Sequence, residues 1–318
     1  MNERDRSWAV ILVIIFAFVA MPAVRLGSAQ SNDNLAASNG LHHIKTVFVI
    51  IMENHNWTGA GRVNSIQGNP AAPYINYTLI PMASHANNYW NPPHLHPSLP
   101  NYIWLEAGSD LGLTGPIVSP EAHRQSTHEH LTYLLEKAGL SWRAYGERLD
   151  GRSCPVTRWH TPFEFFDDVT NNMDPHSANC IAHLRPFREM KGDLENDRSA
   201  RYNFIEPSLC DDMHNACGES QIAGGDDWLA LNVPIILRSS AYRSGGALFI
   251  VWDEASAGDG PIPMIVLSPF AKGNGYSNNL HYTHGSTLRT IQEIFGVGPL
   301  MRDAAKEEDL RDLFTDFP

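Results

Sequence analysis

Two pairs of oxygen-bearing side chains stand directly after apolar runs of the chain. Glu53 and Asn54 follow the first run, and Asp253 and Glu254 follow the second. Carboxylate and amide oxygens from distant parts of a chain suit a hard or borderline divalent cation, whose charge offsets a repulsion that otherwise keeps one carboxyl protonated. For either pair alone, a solvated strand end is the alternative interpretation. Because the pattern occurs twice, we expect the two pairs to meet at one cation site.

A serine stands at the centre of the run HPSLPNY, which covers residues 96–102. The run leads into a segment with the pattern of an amphipathic helix. At a helix N-terminus the peptide dipoles and free amide groups favour an anion, so Ser98 is a candidate nucleophile. The competing interpretation is that Ser98 is an N-cap and does no more than begin the helix.

Two further polar runs contain histidines. Asp212 and His214 stand two positions apart after a short apolar run, and in an extended segment that spacing points both side chains the same way. His281 and His284 come just before another helical pattern. A lone histidine is usually structural or exposed, so neither run identifies a site by itself.

The elements that position these residues are predicted from the hydrophobic pattern. The runs Val47–Met52 and Ala247–Trp252 lack polar alternation, which is typical of parallel strands buried on both faces. Ligands of open α/β sheets collect at the carboxyl ends of strands, so both acidic pairs are expected in one cleft. Strands and helices alternate along the rest of the chain, which predicts a layered α/β fold. Further strands are predicted at 141–145, 202–206 and 264–268, and helices at 73–83, 99–107, 131–138, 226–239 and 287–295.

Length and composition indicate an enzyme-sized globular domain. The chain has 318 residues, of which 43% are hydrophobic. Residues 41–318 are predicted to form a single domain, with an irregular, lid-like insertion near 151–196 that is rich in Pro, Asp, Asn and His. The net charge of -12 disfavours nucleic acid as a partner.

The N-terminus has the pattern of an export signal. Ala9 to Met21 is a continuous apolar stretch that is too short to span a bilayer comfortably and suits the core of a signal peptide. Residues 1–29 are therefore predicted to be a signal peptide and residues 30–40 a polar spacer. The mature protein is expected to be secreted or periplasmic, without stable insertion in a membrane. An uncleaved anchor is the alternative, because two acidic residues offset the arginines before the stretch.

The four cysteines all lie in the part predicted to be exported, where oxidation is expected. Four cysteines allow three connectivities. The simplest joins Cys210 to Cys217 and Cys154 to Cys180. A zinc site is the competing interpretation, but neither spacing is a CxxC, so disulfides are favoured.

Six short motifs occur along the chain in a specific combination. In chain order they are MEN (52–54), HPSLPNY (96–102), DMH (212–214), GDDW (225–228), WDE (252–254) and HGSTLRTI (284–291). Together they resemble the phosphoesterase family that includes secreted acid phosphatases and bacterial phospholipases C, a branch of the alkaline-phosphatase-like superfamily. The resemblance extends from about Thr46 to Gly296. It implies a three-layer α/β/α sandwich with a mostly parallel central sheet.

The resemblance also implies a mechanism. Ser98 would attack phosphorus and form a phosphoserine that water then hydrolyses. A serine hydroxyl is a poor nucleophile at neutral pH unless a base or a metal activates it, and a cation also neutralises the phosphoryl oxygens. The implied metal ligands are Glu53, Asn54, Asp253 and Glu254.

The remaining candidates are assigned by the same resemblance. Asp212, His214 and His284 would complete a second metal site or act on the phosphate and the leaving group. His160 would protonate the leaving oxygen. His85 and His96 are weaker candidates, because structural histidines are more common than catalytic ones.

This chain departs from the family pattern at two positions. Many relatives have an Asp-His pair after the second acidic strand end, where this chain has Ala255 to Pro261, and Gly285 follows His284 where an aromatic residue is common. The number of metal ions is therefore left open. The mixed ligand set also does not choose between calcium, magnesium, manganese and zinc.

Three functions are compatible with these observations. An exported, metal-dependent phosphomonoesterase of the acid phosphatase type is the leading prediction. A phospholipase C or another phosphodiesterase, acting on a phospholipid headgroup, is the second. A surface binding protein on a catalytically dead scaffold is the third, and it is disfavoured because the nucleophile and all the acidic ligands are present.

Overall fold

The computed structural model describes residues 43–61, 63–114, 119–154 and 160–318. The predicted signal peptide and spacer lie outside these residues. Among the helices that are described, none has the length and apolar character needed to cross a membrane. The strands are β1 (Thr46–Met52), β2 (Ser84–Trp90), β3 (Trp142–Gly146), β4 (Leu184–Pro186), β5 (Tyr202–Glu206), β6 (Gly246–Trp252), β7 (Ile262–Leu267), β8 (Tyr276–Asn278) and β9 (Tyr282–Thr283).

Helices connect most of these strands. A π-helical turn, Ile75–Leu79, runs into the first of them, and 3₁₀ turns occur at Pro120–Ala122, Pro162–Phe165, Arg302–Ala305 and Arg311–Leu313. The α-helices are α1 (Ile80–Met82), α2 (Ser98–Ala107), α3 (Leu131–Lys137), α4 (Asp167–Thr170), α5 (Ala178–His183), α6 (Arg188–Glu195), α7 (Gln221–Arg238), α8 (Ser240–Arg243) and α9 (His284–Phe295).

All the strands belong to one mixed sheet. Their order is β4-β3-β5-β1-β6-β7-β2-β8, and β9 also pairs with β2. Strand β7 runs antiparallel to both of its neighbours, and the other pairs are parallel. Every residue of β1 and β6 is buried, as the unbroken apolar runs predict.

Helices cover this sheet in two groups. Helices α2, α3 and α9 contact one another, and α7 contacts both α6 and α8. Because the central strands are buried on both faces, a helical layer lies on each side of them. The predicted three-layer α/β/α sandwich with a mostly parallel sheet is confirmed.

The structure differs from the sequence predictions in two regions. Strand β2 was not predicted, because its sequence SHANNYW is too polar to resemble a buried strand. The segment 151–196 was predicted to be irregular, but it carries α4, α5 and α6 as well as β4, which extends the sheet. Its short elements are separated by turn-forming residues, which hide their periodicity.

Two disulfides join the cysteines in the pairing that the spacing favoured. Cys154 bonds to Cys180 and Cys210 bonds to Cys217. The first bridge is buried, whereas Cys217 of the second is exposed. The second bridge closes a short loop that contains Asp212 and His214.

Candidate active site

Parallel pairing brings the two acidic pairs together. Strands β1 and β6 pair in register from their first residues to Met52 and Trp252, so Glu53 and Asp253 leave the sheet side by side. The Asp253 amide donates to the Met52 carbonyl at 2.9 Å. The two pairs therefore lie next to each other, as the strand pattern predicted.

Glu53 lies at the centre of this cluster and is fully buried. Its Oε2 atom accepts a hydrogen bond from the Ser98 hydroxyl at 2.8 Å, and its Oε1 atom accepts one from the Tyr102 hydroxyl at 2.6 Å. Burial raises the pKa of Glu53 to about 7, although the bonds from Tyr102 and Ser98 act in the opposite direction. The hydroxyl of the candidate nucleophile is thus bound by the carboxylate that directly follows β1.

Ser98 is the first residue of α2 rather than its cap. The cap residue is Pro97, and the serine side chain points to Glu53 instead of closing the first turn. The interpretation of Ser98 as a mere N-cap is therefore wrong. Its position at the start of a ten-residue helix gives its oxygen the favourable end of the helix dipole.

Asp253 and Glu254 form the second half of the cluster. Asp253 Oδ1 accepts the Asn54 amide at 3.0 Å, whereas its Oδ2 atom is buried and has no hydrogen-bond partner among the described residues. Glu254 Oε2 accepts from Asn101 Nδ2 at 3.1 Å and lies 2.9 Å from His96 Nδ1. Burial, followed by the charges of Asp253 and Glu53, raises the pKa of Glu254 to about 10.

Asp212 reaches the cluster from a turn after β5. Its carbonyl accepts the Glu53 amide at 2.8 Å, and its Oδ1 atom accepts the His214 amide at 2.7 Å. The segment is not extended as predicted, because Met213 has a φ of 81°. Burial and the charge of Glu53 raise the pKa of Asp212 to about 9.

His160 lies beside Glu53 and Asp212. Its Nδ1 atom is 3.2 Å from Glu53 Oε1, and its ring stacks on Tyr102 with 5.1 Å between centroids. One ligand atom from each of Glu53, His160 and Asp212 lies within 4.8 Å of the others, close enough to hold a cation. Burial, with help from His214 and Arg148, lowers the pKa of His160 to about 3.

His284 lies behind the acidic cluster and not in the cleft. It is fully buried, its Nε2 atom is 2.5 Å from the Asp253 carbonyl, and its Nδ1 atom is 3.0 Å from the Tyr89 hydroxyl. Both ring nitrogens therefore face protein groups. This arrangement suits a residue that positions Asp253, whereas the sequence had suggested a direct role on metal or phosphate.

Two residues that touch the cluster had no predicted role. Asn101 and Tyr102 stand three and four positions after Ser98, so all three side chains share one face of α2. They contact Glu254 and Glu53, respectively. The helical spacing of polar residues within HPSLPNY was the signal that could have identified them.

Residues of the GDDW motif pack against the turn that carries Asp212 and the segment just before it. A Cβ atom at Gly225 would lie 2.2 Å from Met213 Cγ, so only glycine lets α7 approach that turn. Asp226 accepts the amides of Tyr74 and Ile75, each at 2.8 Å. Trp228 donates to Glu147, whose other oxygen accepts the Ser208 amide just before the turn.

Several site residues have left-handed backbone conformations. Non-glycine residues with positive φ here are Asn54 (52°), His94 (58°), His160 (56°) and Met213 (81°). Such conformations cost on the order of 1–3 kcal/mol each and persist only where the surroundings enforce them. Their positions around the acidic cluster show that the surrounding contacts enforce the local backbone of the site.

An open cleft of about 930 Å³ lies over the cluster. Its lining includes Asn54, His96, His214, Glu254 and Asp259. Within the described part of the chain, the lining contains carboxylates, amides and histidines but neither Lys nor Arg.

Comparison with known proteins decides the family. The sequence profile of the phosphoesterase family matches residues 84–298, which is more than half of the chain. The chain belongs to the phosphoesterase family. The matched region contains Ser98, Asp212, Asp253 and Glu254, whereas Glu53 and Asn54 precede it.

Three relatives of this phosphoesterase have phosphatase names. Phosphatidylinositol-3-phosphatase of Mycobacterium tuberculosis is 24% identical over 318 residues, covering 98% of this chain and 95% of the relative. A probable acid phosphatase of Kluyveromyces lactis is 26% identical over 66% of this chain and 47% of its own length. An acid phosphatase of Aspergillus fumigatus is 22% identical over 65% of this chain and 47% of its own length. This chain thus spans about half the length of these acid phosphatases. With the family, these relatives make the chain a hydrolase of phosphoric ester bonds.

Solved structures support the fold of this phosphoesterase. An alkaline phosphatase superfamily protein of Vibrio parahaemolyticus has a TM-score of 0.55 at 11% identity, over 85% of this chain and 72% of that one. The lipoteichoic acid synthase of Listeria monocytogenes has a TM-score of 0.58 at 9% identity, over 85% and 79%. The alkaline-phosphatase-like fold implied by the resemblance is therefore confirmed.

The residues of this phosphoesterase fit a divalent cation. Asp253 Oδ2 and Asn101 Oδ1 are buried oxygens without a hydrogen-bond partner in the described structure, and both adjoin the acidic cluster. Buried polar atoms are almost always satisfied, so each exception needs an explanation. A cation held by Glu53, Asn54, Asp253 and Glu254 would satisfy Asp253. It would also offset the burial, and the mutual repulsion, that raise the pKa values of Asp253 and Glu254.

Proposed function

We propose that this phosphoesterase is an exported, metal-dependent phosphomonoesterase that works through a phosphoserine intermediate. The observation that carries the proposal is the hydrogen bond from the Ser98 hydroxyl to Glu53. Glu53 belongs to a buried carboxylate cluster in which Asp253 Oδ2 has no hydrogen-bond partner among the described residues. A divalent cation would supply charge neutralisation for the phosphoryl oxygens and activation of the serine. Calcium, magnesium, manganese and zinc all remain candidates for the ion.

The chain's own residues have separate tasks in this proposal. Glu53 Oε2 orients the Ser98 hydroxyl for in-line attack on phosphorus, and Tyr102 fixes Glu53 by its hydrogen bond. The Ser98–phosphorus bond forms as the bond to the leaving oxygen breaks, the Ser98 proton passes to Glu53, and His214 supplies a proton to the leaving oxygen. Water then cleaves the phosphoserine and releases inorganic phosphate.

The sequence had assigned His160 to the leaving oxygen, and had left His214 to a second metal site or to the phosphate and leaving group; we propose a different role for His160. A neutral His160 beside Glu53 and Asp212 suits a cation ligand better than a proton donor. His214 lines the cleft, so we assign it to the leaving oxygen. His284 positions Asp253.

The names of the relatives support a monoester substrate, since the proteins they describe are phosphatases. A small phosphate ester and a phospholipid headgroup are both candidate substrates. The two disulfides support export to a secreted or periplasmic location, because such bonds persist in oxidising compartments.

An assay on an aryl phosphomonoester tests this function directly. Activity should disappear on chelation and return when one of the four cations is added back. Cleavage of a choline phosphodiester without cleavage of the monoester would favour a phospholipase C. If the protein binds the cation and cleaves neither ester, the proposal fails and a binding scaffold replaces it.

A further inference from the structure

Glu206 is a buried carboxyl group next to the active site that has no part in the mechanism above. It is the last residue of β5, beside Gly146 of β3, and is 7% exposed. Its Oε1 atom is buried and lacks a hydrogen-bond partner among the described residues, while Oε2 accepts the Thr161 hydroxyl at 2.7 Å. A small cavity between these groups is also lined by His160.

Thr161 uses its hydroxyl in an unusual way. It occupies the cap position of the 3₁₀ turn Pro162–Phe165, where a threonine oxygen ordinarily accepts an amide of the first turn. Here no such capping bond forms, and the hydroxyl donates to Glu206 instead. The bond therefore fixes the start of this turn to the end of the sheet.

His160, which directly precedes Thr161, needs such an anchor. Its φ of 56° is unfavourable for a residue with a side chain, so surrounding contacts must hold it. On its ring side those contacts include Tyr102, Glu53 and His214. On its backbone side the neighbouring contact is the Thr161 bond to Glu206.

We infer that Glu206 is a positioning residue of the reaction, which acts through Thr161 to hold His160 against Glu53. The inference rests on the proposed function only for its kinetic consequence. Burial, with the charge of Glu164, raises the pKa of Glu206 well above its usual range, although Thr161 and Arg148 act in the opposite direction. A neutral amide is therefore a close substitute for this carboxyl group.

Four single variants and one double variant test this role. Glu206→Ala and Thr161→Val should each lower kcat on an aryl phosphomonoester, by as much as about 100-fold, because small misplacements of a site residue have effects of that size. Glu206→Gln keeps an acceptor for Thr161 and should retain most of kcat. His160→Ala combined with Glu206→Ala should be no slower than His160→Ala alone, since both changes act on one residue.

A matched control separates positioning from general stability. Asp193 is another largely buried carboxylate, on α6, and accepts the Tyr145 hydroxyl at 2.8 Å and Arg143 at 2.6 Å. Asp193→Asn should lower Tm without lowering kcat. Additive losses in the double variant, or an unchanged kcat in Glu206→Ala, would overturn the inference.

A structural readout keeps the inference separate from the proposed function. If the wild-type protein has no turnover on any ester, the proposed function fails, but a crystal structure of Glu206→Ala still reports the position of His160. Movement of that ring away from Glu53 supports the inference, and an unmoved ring overturns it.

Discussion

The hydroxyl of Ser98 lies 2.8 Å from Glu53 Oε2, although the two residues stand 45 positions apart in the chain. One is the first residue of a helix, and the other directly follows a central strand. Their contact joins the two elements that the proposed reaction requires, a nucleophile at a helix N-terminus and an acidic cluster at the end of a parallel sheet.

Ser98→Ala should abolish phosphoester hydrolysis, because the other hydroxyl that contacts Glu53 in the described structure, that of Tyr102, is buried and bonds the opposite carboxylate oxygen. We expect kcat to fall by about 10³-fold or more, as for other nucleophile replacements. Release of phosphate from an aryl phosphomonoester measures the effect. Ser109→Ala, just beyond the far end of the same helix, is the control and should retain activity. Turnover that survives in Ser98→Ala would show that the nucleophile is misassigned.

Chelation should lower both activity and stability. Without a cation, burial disfavours the charged forms of Glu53, Asp253 and Glu254, and a bound cation offsets that cost, so adding the correct ion should raise Tm. At a free concentration of 100 times Kd the gain is about 2.7 kcal/mol. Calorimetry with each of the four cations measures it.

Glu254→Gln supplies the comparison for that experiment. The amide keeps the shape of the side chain but removes one charge from the cluster, so a higher cation concentration should be needed for the same rise in Tm. A concentration dependence equal to that of the wild type would exclude Glu254 from the cation site.

A buried histidine away from the cleft should make stability fall at alkaline pH. His130 is fully buried between Glu106 and Asp168. Its Nε2 atom lies 3.0 Å from Asp168 Oδ2. Burial alone lowers its pKa, but the bonds to Asp168 and Glu106 outweigh burial and raise it from 6.5 to about 9. Protonated His130 therefore stabilises the folded state by roughly 3 kcal/mol below pH 6.5, and this contribution is lost as pH rises through 9.

Urea unfolding between pH 6 and pH 10 measures that effect. His130→Gln cannot take up the proton, so its unfolding free energy should be lower at pH 6 and should change less between pH 6.5 and 9 than that of the wild type. Parallel pH profiles for the two proteins would contradict the assignment of the proton to His130.

The two disulfides should have different consequences when removed. The Cys210–Cys217 bridge closes a loop with a sequence separation of 7, against 26 for Cys154–Cys180. Loop-closure entropy assigns about 2.3 kcal/mol to the first and about 3.5 kcal/mol to the second. Because the first loop contains Asp212 and His214, the double variant Cys210→Ser, Cys217→Ser should lose more activity than its loss of stability accounts for. Assays well below the Tm of each double variant distinguish these effects, and equal losses of activity would contradict the prediction.

The sequence was most informative where burial leaves an unbroken pattern. The runs that became β1 and β6 are apolar throughout, and their pairing followed from the rule that parallel strands share an edge at their carboxyl ends. Strand β2 is half polar, and the antiparallel direction of β7 depends on long-range pairing that no local pattern encodes.

The site was predictable in its residue types but less so in their roles. Spacing placed Asp212 near His214, but the positive φ of Met213 could not be read from its side chain. Motif resemblance selected His284, whereas its burial behind Asp253 depends on how α9 packs. Glu206 contacts Thr161, which is 45 positions away in the sequence, so its link to the site is displayed only by the folded chain.

The close approach of Gly225 to Met213 bears on how natural variants of this chain should be interpreted. A one-base change at this codon that adds even a methyl group would push against a fully buried side chain in the turn that carries Asp212. Gly225 is not itself a residue of the cleft lining, so a ranking of variants by distance from substrate would pass over it. A screen of clinical or environmental sequences should therefore weigh position 225 with the acidic residues themselves.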